Sequence, residues 1–215
     1  MKLLHWSDMM NNICVNPNDE LVVVDDGGVS GEAVITVEPF GVVRYFFVPT
    51  SVIVPSPTLG EGTMTRRTLR VELHADARAE ICGAVLAEHD SHYQFNLTVH
   101  HLGPRSQSKT LFKGVGKDAS KQVFNGMIKI DKPAQQSNAF LENRVLLLSK
   151  HAKSESKPEL EIEANDVKAS HAATTGRIDD RQLFYLQSRG IEKALAQEMI
   201  IKGFLFEVMK LIPQS

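Results

Sequence analysis

The chain has 215 residues, with 24 basic and 26 acidic side chains and a formal net charge of −2 when every histidine is neutral. Non-specific affinity for nucleic acid comes mainly from an excess of Lys and Arg, so this balance argues against a nucleic-acid-binding protein. With 42% hydrophobic and 23% charged residues, the composition is that of a globular chain and excludes disorder throughout.

The sequence shows no sign of export or of a membrane span. Its apolar start is interrupted at His5 and Asp8, and the longest aliphatic runs, such as Val145–Leu148, have four residues, whereas a spanning helix needs about 20. Cys14 and Cys82 are the sequence's two cysteines and form no CxxC pair. This usage favours a reducing, cytoplasmic location over a disulfide scaffold or a zinc site.

From about residue 20 to residue 163, apolar residues come in short bursts with a period near two, which indicates β-strands, most of them four to eight residues long. No amphipathic helix separates them, which disfavours a doubly wound sheet and leaves a sandwich, a barrel or a solenoid. The predicted strands are Leu21–Val24, Ala33–Val37, Val42–Val48, Leu69–Leu73, Tyr93–Val99, Lys109–Lys113, Val123–Ile130, Arg144–Leu148 and Glu159–Ala164.

Small or polar residues alternate with their neighbours in two segments, Ala75 to Ile81 and Ser106 to Phe112. Such alternation suits coils stacked at strand spacing, where bulky interior side chains would clash, and it favours a solenoid. Because no exact repeat is visible, a parallel β-helix fits better than a hexapeptide or propeller fold. The pattern alone leaves the sandwich and the barrel open.

The pattern changes after Gly176, where two helices are predicted. Asp179 and Asp180 can cap a short helix that covers Gln182–Ser188 and ends at Arg189 and Gly190. Apolar residues then recur at three- and four-residue spacings over Ile191–Ile212, which predicts a second, longer helix. Such helices can cap a solenoid or dock a partner.

Motifs for phosphate binding and catalysis are weak. The segment from Gly114 to Lys121 has some features of a phosphate-binding loop, but Leu111 stands where the first glycine is required and Asp118 follows Lys117. We therefore predict a turn. The sequence contains no recognisable nucleophile elbow and no Cys–His arrangement of a known catalytic type.

Four histidines lie on either side of one predicted strand: His89, His92, His100 and His101. Adjacent histidines on a strand point to opposite faces, so His100 and His101 cannot both bind one ion without a bulge. We expect these histidines to be structural or exposed rather than a metal site.

The second half of the chain contains several short motifs in a fixed order. They are Gln136–Phe140, Asn143–Ser149, His171–Thr174, Asp179, Leu183–Tyr185, Arg189–Ile191 and Gly203-Phe204. In this order they resemble the end of the β-helical core of the SufB/SufD family, the scaffold proteins of Suf iron–sulfur cluster assembly. The resemblance covers about residues 95–210 and implies a right-handed parallel β-helix with a C-terminal pair of α-helices. On this basis we divide the chain into an N-terminal segment (1–20), a β-helix core (21–176) and a C-terminal helical segment (177–215).

Within that family the chain resembles SufD more than SufB. SufB-type members flank the motif histidine with Glu and carry an upstream Cys, whereas here Ser170 and Ala172 flank His171 and the stretch Ser137–Leu148 contains no Cys. SufD-type members often have Cys two residues before the histidine, where this chain has Ala169. Family members usually also carry a longer N-terminal part with a helical region.

The resemblance implies a scaffold subunit that is not itself an enzyme. Neutral imidazole is a good iron ligand, so His171 is the candidate ligand of a nascent cluster. A cluster usually needs four ligands, and the resemblance implies that a SufB-like subunit supplies the others. It also implies a SufC-like ATPase docked on the C-terminal helices, about Asp179–Ile212.

Other readings stay open at this stage. The sequence decides neither between a heterodimer and a homodimer nor whether a flavin binds. A β-solenoid enzyme acting on polysaccharide is an alternative, because that architecture also presents long grooves. A third possibility is an adaptor that binds an ATPase without any iron chemistry.

Overall fold

The computed structural model describes residues 2–6, 12–27, 30–49 and 64–212. In these ranges the chain forms 13 β-strands followed by two α-helices. The strands are β1 Lys2–His5, β2 Asn12–Val15, β3 Glu20–Asp25, β4 Gly31–Val37, β5 Val42–Phe47, β6 Met64–Leu73, β7 Arg78–Ala87, β8 His92–His101, β9 Gln107–Gly116, β10 Lys121–Ile130, β11 Asn138–Leu147, β12 Lys153–Ile162 and β13 Lys168–Arg177. The helices are α1, Asp180–Ser188, and α2, Lys193–Met209.

Consecutive strands alternate between two parallel sheets. The odd-numbered strands form a seven-stranded sheet in the order β1-β3-β5-β7-β9-β11-β13, and the even-numbered strands form a six-stranded sheet. We call them the odd sheet and the even sheet. Each coil of the chain adds one strand to each sheet, which makes the fold a parallel β-helix and confirms the predicted class.

The coils stack in register. In the even sheet, for example, Met64 pairs with His92 and His92 pairs with Lys121, and the strands from β6 onward have ten residues each. Parallel strands in register place paired side chains on the same face of the sheet. Every inward position therefore belongs to a column that runs along the interior.

The alternating small residues of the sequence line this interior, as predicted. Ala77, Ala79 and Ile81 are buried on the odd-sheet side, as are Ser108 and Thr110 in the next coil. Between the two sheets runs a group of aromatic rings whose neighbouring centroids lie 5.0–6.3 Å apart, a spacing that suits tilted and offset contacts. The group consists of Tyr45, Phe47, Phe95, Phe112 and Phe124.

Left-handed residues other than glycine form the corners between the sheets. At one corner Asp76 has φ 60° and Arg105 has φ 57°. The backbone N–H of Asp76 donates to the carbonyl of Pro104, and that of Arg105 donates to Gln135, each at 2.9 Å. The corners therefore carry the interstrand hydrogen bonding from coil to coil.

The two helices lie beyond the last strand, and α2 covers part of the outer face of the odd sheet. Ile201, Leu205 and Val208 of α2 are buried in a second apolar cluster with outward residues of that sheet, which include Phe46 and Leu111. The hairpin of α1 and α2 is thus fixed to the side of the β-helix, not across its end. No helix in the described ranges is long and apolar enough to span a lipid bilayer.

The helix ends follow the predicted chemistry. The side chain of Asp179 accepts a hydrogen bond from the N–H of Arg181 at 2.9 Å, so Asp179 is the N-cap of α1. Gly190 follows the C-cap Arg189 with φ 83°, the left-handed conformation that glycine adopts without strain. The second helix, at Lys193–Met209, is shorter at both ends than the predicted Ile191–Ile212.

Each predicted strand matches an observed one, but the central strands are longer than the expected four to eight residues. Four strands were not predicted from periodicity: β7, β13, and the first two strands β1 and β2, which pair with β3 and β4 and so extend both sheets. These four strands contain small, polar or short apolar segments, which weaken a period-two signal.

Candidate functional site

His171 lies on β13, the last strand of the odd sheet. It is in register with Leu141 of β11, which is fully buried in the interior, so the side chain of His171 belongs to an inward column. Ala169 and Val167 pack partly against the same interior. His171 is nevertheless exposed, because β13 is the last strand of its sheet and no further coil of the described ranges lies over it.

The end of the β-helix that carries His171 is open. β13 and β12 are the terminal strands of the two sheets, so each has a backbone edge that pairs with no other strand in the described ranges. Leu160 and Ile162 of β12 are in register with the buried Ile128 and Ile130, yet their side chains are 37% and 42% exposed. This end, which we call the open end, therefore presents apolar interior side chains, two strand edges and the side chain of His171.

Behind the open end the interior becomes polar. The amide nitrogen of Asn143 donates to the hydroxyl of Ser156 at 2.9 Å. Asn143 Oδ1 and Ser154 Oγ are buried, and no group in the described part of the chain bonds them. Both residues line a cavity of about 10 Å³, which is close to the space that one water molecule requires.

One histidine does not make a metal centre. In the described ranges, no three His, Cys, Asp or Glu side chains converge to hold a metal ion. Cys82 is buried on β7, and burial raises the pKa of its thiol to about 11, so the thiolate that binds metals is scarce at neutral pH. Cys14 lies in the other sheet, on β2. A cluster bound at His171 would thus need ligands from another chain.

The four histidines at the ends of β8 and in the corner before it lie in two separate groups. His92 begins β8 and His100 and His101 end it, which separates the two groups by roughly 26 Å. His89 occupies an exposed corner with φ 57°. Burial, together with the charges of Lys121 and Arg66, lowers the pKa of His92.

His100 and His101 point to opposite faces, as the strand geometry predicts. On the outer face, Nδ1 of His100 lies 3.1 Å from a guanidinium nitrogen of Arg70, and Nε2 lies 2.8 Å from a carboxylate oxygen of Asp131. On the inner face, the two ring nitrogens of His101 lie 2.8 Å and 2.9 Å from the hydroxyls of Ser106 and Ser108. Both side chains have structural partners.

The segment tested as a phosphate-binding loop lies at the end of β9 and in the turn before β10. Lys117 forms an ion pair with Glu88 of the preceding corner, and Ser120 Oγ donates to the carbonyl of Lys117 at 2.6 Å. Residues 117–120 form a corner of the β-helix, as predicted, whereas Gly114 to Gly116 belong to β9 and not to a turn.

The helical hairpin presents a second candidate surface. Side chains on both helices are large, apolar and exposed, including Phe184 at 72% and Phe206 at 62%. Exposed apolar residues that group together commonly mark protein–protein contact sites. The exposed set is Phe184, Tyr185, Leu195, Met199 and Phe206.

Sequence reasoning did not find Lys113, the buried cation of the odd sheet. Its ammonium group donates to the carbonyl of Phe204 at 3.0 Å and lies 2.5 Å from the carboxylate of Glu207. Both partners lie on α2, about ninety positions later in the chain, so no local pattern could have predicted the contact.

These features define a parallel β-helix with an open, histidine-bearing end and a helical hairpin on one side. The family model for the SufBD core domain, described as SUF system FeS cluster assembly, matches residues 57–204. That range covers more than half of the chain, which therefore belongs to the SufBD core-domain family of SUF iron–sulfur cluster assembly.

Curated relatives indicate the SufD side of the family. The iron–sulfur cluster assembly protein SufD of Bacillus subtilis is 44% identical over 119 residues, 55% of this chain and 27% of that protein. SufD of Escherichia coli is 48% identical over 101 residues, 47% of this chain and 24% of that protein. A SufBD family protein of Mycobacterium tuberculosis is 39% identical over 143 residues, 63% of this chain and 36% of that protein. The chain is SufD-like and spans about a quarter to a third of the length of these relatives.

Proposed function

We propose that this chain is a scaffold subunit of Suf iron–sulfur cluster assembly that pairs with a SufB-like subunit through its open end. His171 then contributes one ligand to a nascent cluster, which is the cargo of the complex and not a resident cofactor. The observation that carries the proposal is the exposure of this inward-column histidine at the end of the β-helix.

The chemistry of the open end supports a shared site. A neutral imidazole nitrogen binds iron well, but iron–sulfur clusters are held mainly by thiolates and usually by four ligands. The described part of this chain offers His171 without a nearby thiol. A partner that stacks on the same end would bring its own side chains to the histidine.

The same end suits pairing with another β-helix. Unpaired strand edges are ready templates for hydrogen bonding with a second chain, and Leu160 and Ile162 would bury apolar surface in such a contact. A second copy of this chain would satisfy the edges equally well, so a homodimer is the alternative pairing.

The helical hairpin is the proposed docking site for a SufC-like ATPase. Its exposed apolar side chains belong to α1 and α2, and α2 packs on the outer face of the odd sheet, so docking on α2 would use a surface other than the strand edges of the open end. In this proposal the chain is not itself an enzyme, since the partner supplies ATP hydrolysis. The proposal places the complex in the cytoplasm, where the two free cysteines stay reduced.

The test is anaerobic co-purification of the tagged full chain with the SufB-like and SufC-like proteins of its own organism, followed by assays of iron and acid-labile sulfide. We expect both partners to be recovered with iron and sulfide, and the His171→Ala variant to retain the partners while iron and sulfide fall to background. His89→Ala is the matched control, because it removes an exposed histidine at a corner of the fold.

Two results would count against the proposal. Equal iron and sulfide in the wild type and His171→Ala would remove the ligand role and leave an adaptor that binds an ATPase without iron chemistry. Recovery of neither partner would overturn the scaffold assignment, and the polysaccharide alternative would then be tested by assays of glycan depolymerisation.

A further inference from the structure

Helix α2 carries two apolar stripes, and only one of them faces the sheet. Ile201, Leu205 and Val208 are buried against the odd sheet, whereas Leu195, Met199 and Phe206 are 46–62% exposed. Each set keeps helical spacing, so each forms a stripe along one side of the helix. We call them the sheet stripe and the outer stripe.

Both sides of α2 offer apolar surface for burial. The sheet stripe contains three large side chains, with Phe204 and Met209 packed partly against the same cluster, and the outer stripe contains three. Apolar burial is non-directional and depends mainly on the area removed from water, so a rotated helix that buried the outer stripe would still cover the sheet. The hydrophobic effect favours the observed side only through the difference in apolar area, and a directional contact strengthens that preference.

Lys113 of β9 makes that directional contact. Its side chain is 6% exposed, and its ammonium group donates to the carbonyl of Phe204, pairs with the carboxylate of Glu207 and lies 4.8 Å from the centre of the Phe204 ring. All three contacts are with α2. The hydrogen bond from Lys113 lowers the pKa of Glu207, and the charges of Arg144 and Lys210 act in the same direction.

Rotation of α2 would remove these contacts. The carbonyl and the carboxylate would turn away from β9, and the ammonium group of Lys113 would stay under the helix without a partner. A buried unpaired charge is strongly unfavourable. Buried polar pairs are known to fix the register of helices whose apolar surfaces allow alternatives.

We propose that Lys113 is a positioning residue that selects the sheet stripe of α2 for burial and so keeps the outer stripe available to a protein partner. This inference rests on the proposed function in one respect, that the partner is the SufC-like ATPase. The orientation of the helix can be measured without that partner.

The first measurement reports the orientation of α2 in the full chain. In a Cys14→Ser background, the buried Cys82 is the remaining native thiol, and a single probe is added by Met199→Cys or, separately, by Val208→Cys. The rate of maleimide labelling then reports which stripe is exposed. We expect fast labelling at position 199 and slow labelling at 208, with the difference lost or reversed when Lys113→Met is added.

The second measurement separates orientation from stability. The double variant Lys113→Met/Glu207→Leu replaces the ion pair with apolar side chains, which commonly restores stability. We expect its Tm to return to the wild-type value, while the labelling difference stays lost and the affinity for the SufC-like ATPase stays roughly tenfold below wild type. Lys129→Met, which breaks the Lys129–Glu161 pair of the even sheet, is the matched control.

The outcomes distinguish the two proposals. Unchanged labelling at both positions in Lys113→Met would overturn the positioning role, as would labelling and affinity that simply follow Tm. If the wild-type chain does not bind the ATPase but Lys113→Met changes the labelling, the positioning role stands and the proposed docking partner is wrong.

Discussion

His101 is a buried histidine that the fold keeps neutral. Its side chain is fully buried. One ring nitrogen lies against the hydroxyl of Ser106 and the other against the hydroxyl of Ser108. One hydroxyl can donate to the unprotonated nitrogen while the other accepts from the ring N–H. Burial, assisted by the neighbouring His100, lowers the pKa of His101 to about 4. The hydroxyls of Ser106 and Ser108 suit the neutral imidazole ring, and neither supplies a negative charge that would stabilise the protonated ring.

This lowered pKa predicts a loss of stability in weak acid. Between the ordinary histidine pKa and the folded value of about 4, the unfolded chain binds a proton that the folded chain does not. The contribution of neutral His101 to the free energy of unfolding is therefore complete above pH 7. It declines as the pH falls, by about 2 kcal/mol between pH 7.5 and pH 5. Urea unfolding at these two pH values measures it.

The matched variants for this experiment are His101→Gln and His89→Gln. Replacing His101 should flatten the pH dependence over this window, whereas replacing the exposed His89 should leave it unchanged. Equal pH dependence in His101→Gln and the wild type would show that His101 is not the group responsible.

At the residue scale, the sequence predicts those features that depend on local backbone geometry, such as the face of a strand on which a side chain lies. Strand alternation was enough to place His100 and His101 on opposite faces and His171 on the same face of its strand as Ala169. The importance of His171 came from the family resemblance, because its exposure depends on the absence of a coil above β13. The contacts of Lys113 with α2, and the bidentate bond from Arg67 to Asp25 at 2.6 and 2.7 Å, join residues far apart in sequence.

At the scale of the element, one glycine is required by close packing between coils and another, in a helix, has open space around it. At Gly103, between β8 and β9, an added Cβ would lie 2.2 Å from the backbone nitrogen of Ala75 in the preceding coil. At Gly203, inside α2, an added Cβ would meet nothing within 4 Å. The two positions therefore form a natural pair for comparison.

Gly103→Ala should lower the free energy of unfolding by about 1–3 kcal/mol, because backbone atoms of two coils must separate to admit the methyl group. Gly203→Ala should raise it by about 0.5–1 kcal/mol, because alanine restricts the unfolded chain and suits a helix interior. Urea denaturation of both variants measures these changes. Destabilisation by both substitutions would contradict the open surroundings of Gly203.

Element existence was more predictable than element length. The ends of α1 were accessible to sequence analysis because Asp179 and Gly190 act on their immediate neighbours, whereas both ends of α2 were placed too far out. The strands were placed too short because their inward positions include Ser and Ala, which do not stand out from polar outward neighbours. The corners use left-handed Asp76 and Arg105 where a turn pattern would suggest glycine, since backbone bonds to the next coil hold them in place.

At the scale of the whole molecule, the open end and the side that carries α2 differ in which apolar side chains they leave exposed. The outer face of the odd sheet is partly covered by α2, while the open end leaves Leu160 and Ile162 partly exposed. These side chains continue buried columns, so they are suited to burial by another chain. This asymmetry is the physical basis for assigning different partners to the open end and the hairpin.

The double substitution Leu160→Lys/Ile162→Lys tests the open end. Two ammonium groups would have to be desolvated in any contact there, so pairing with a SufB-like subunit or a second copy should weaken roughly tenfold or more. Sedimentation velocity of the full chain, alone and mixed with the SufB-like protein, measures this. Unchanged association would exclude the open end as the interface.

Glu159→Lys is the matched control for this experiment. It also adds a lysine to β12, but Glu159 pairs in register with Met127 and not with an interior residue, so it faces outward. Its association should equal that of the wild type.

The stacking of coils also governs how this chain can change length during evolution. Residues paired in register on neighbouring strands are one coil apart along the chain, as Met64 and His92 or Lys121 and Lys153 are. A single residue inserted within a strand would turn every following side chain of that strand to the opposite face. Extra residues at a corner would leave all columns intact, so natural variants should lengthen at corners or gain and lose whole coils.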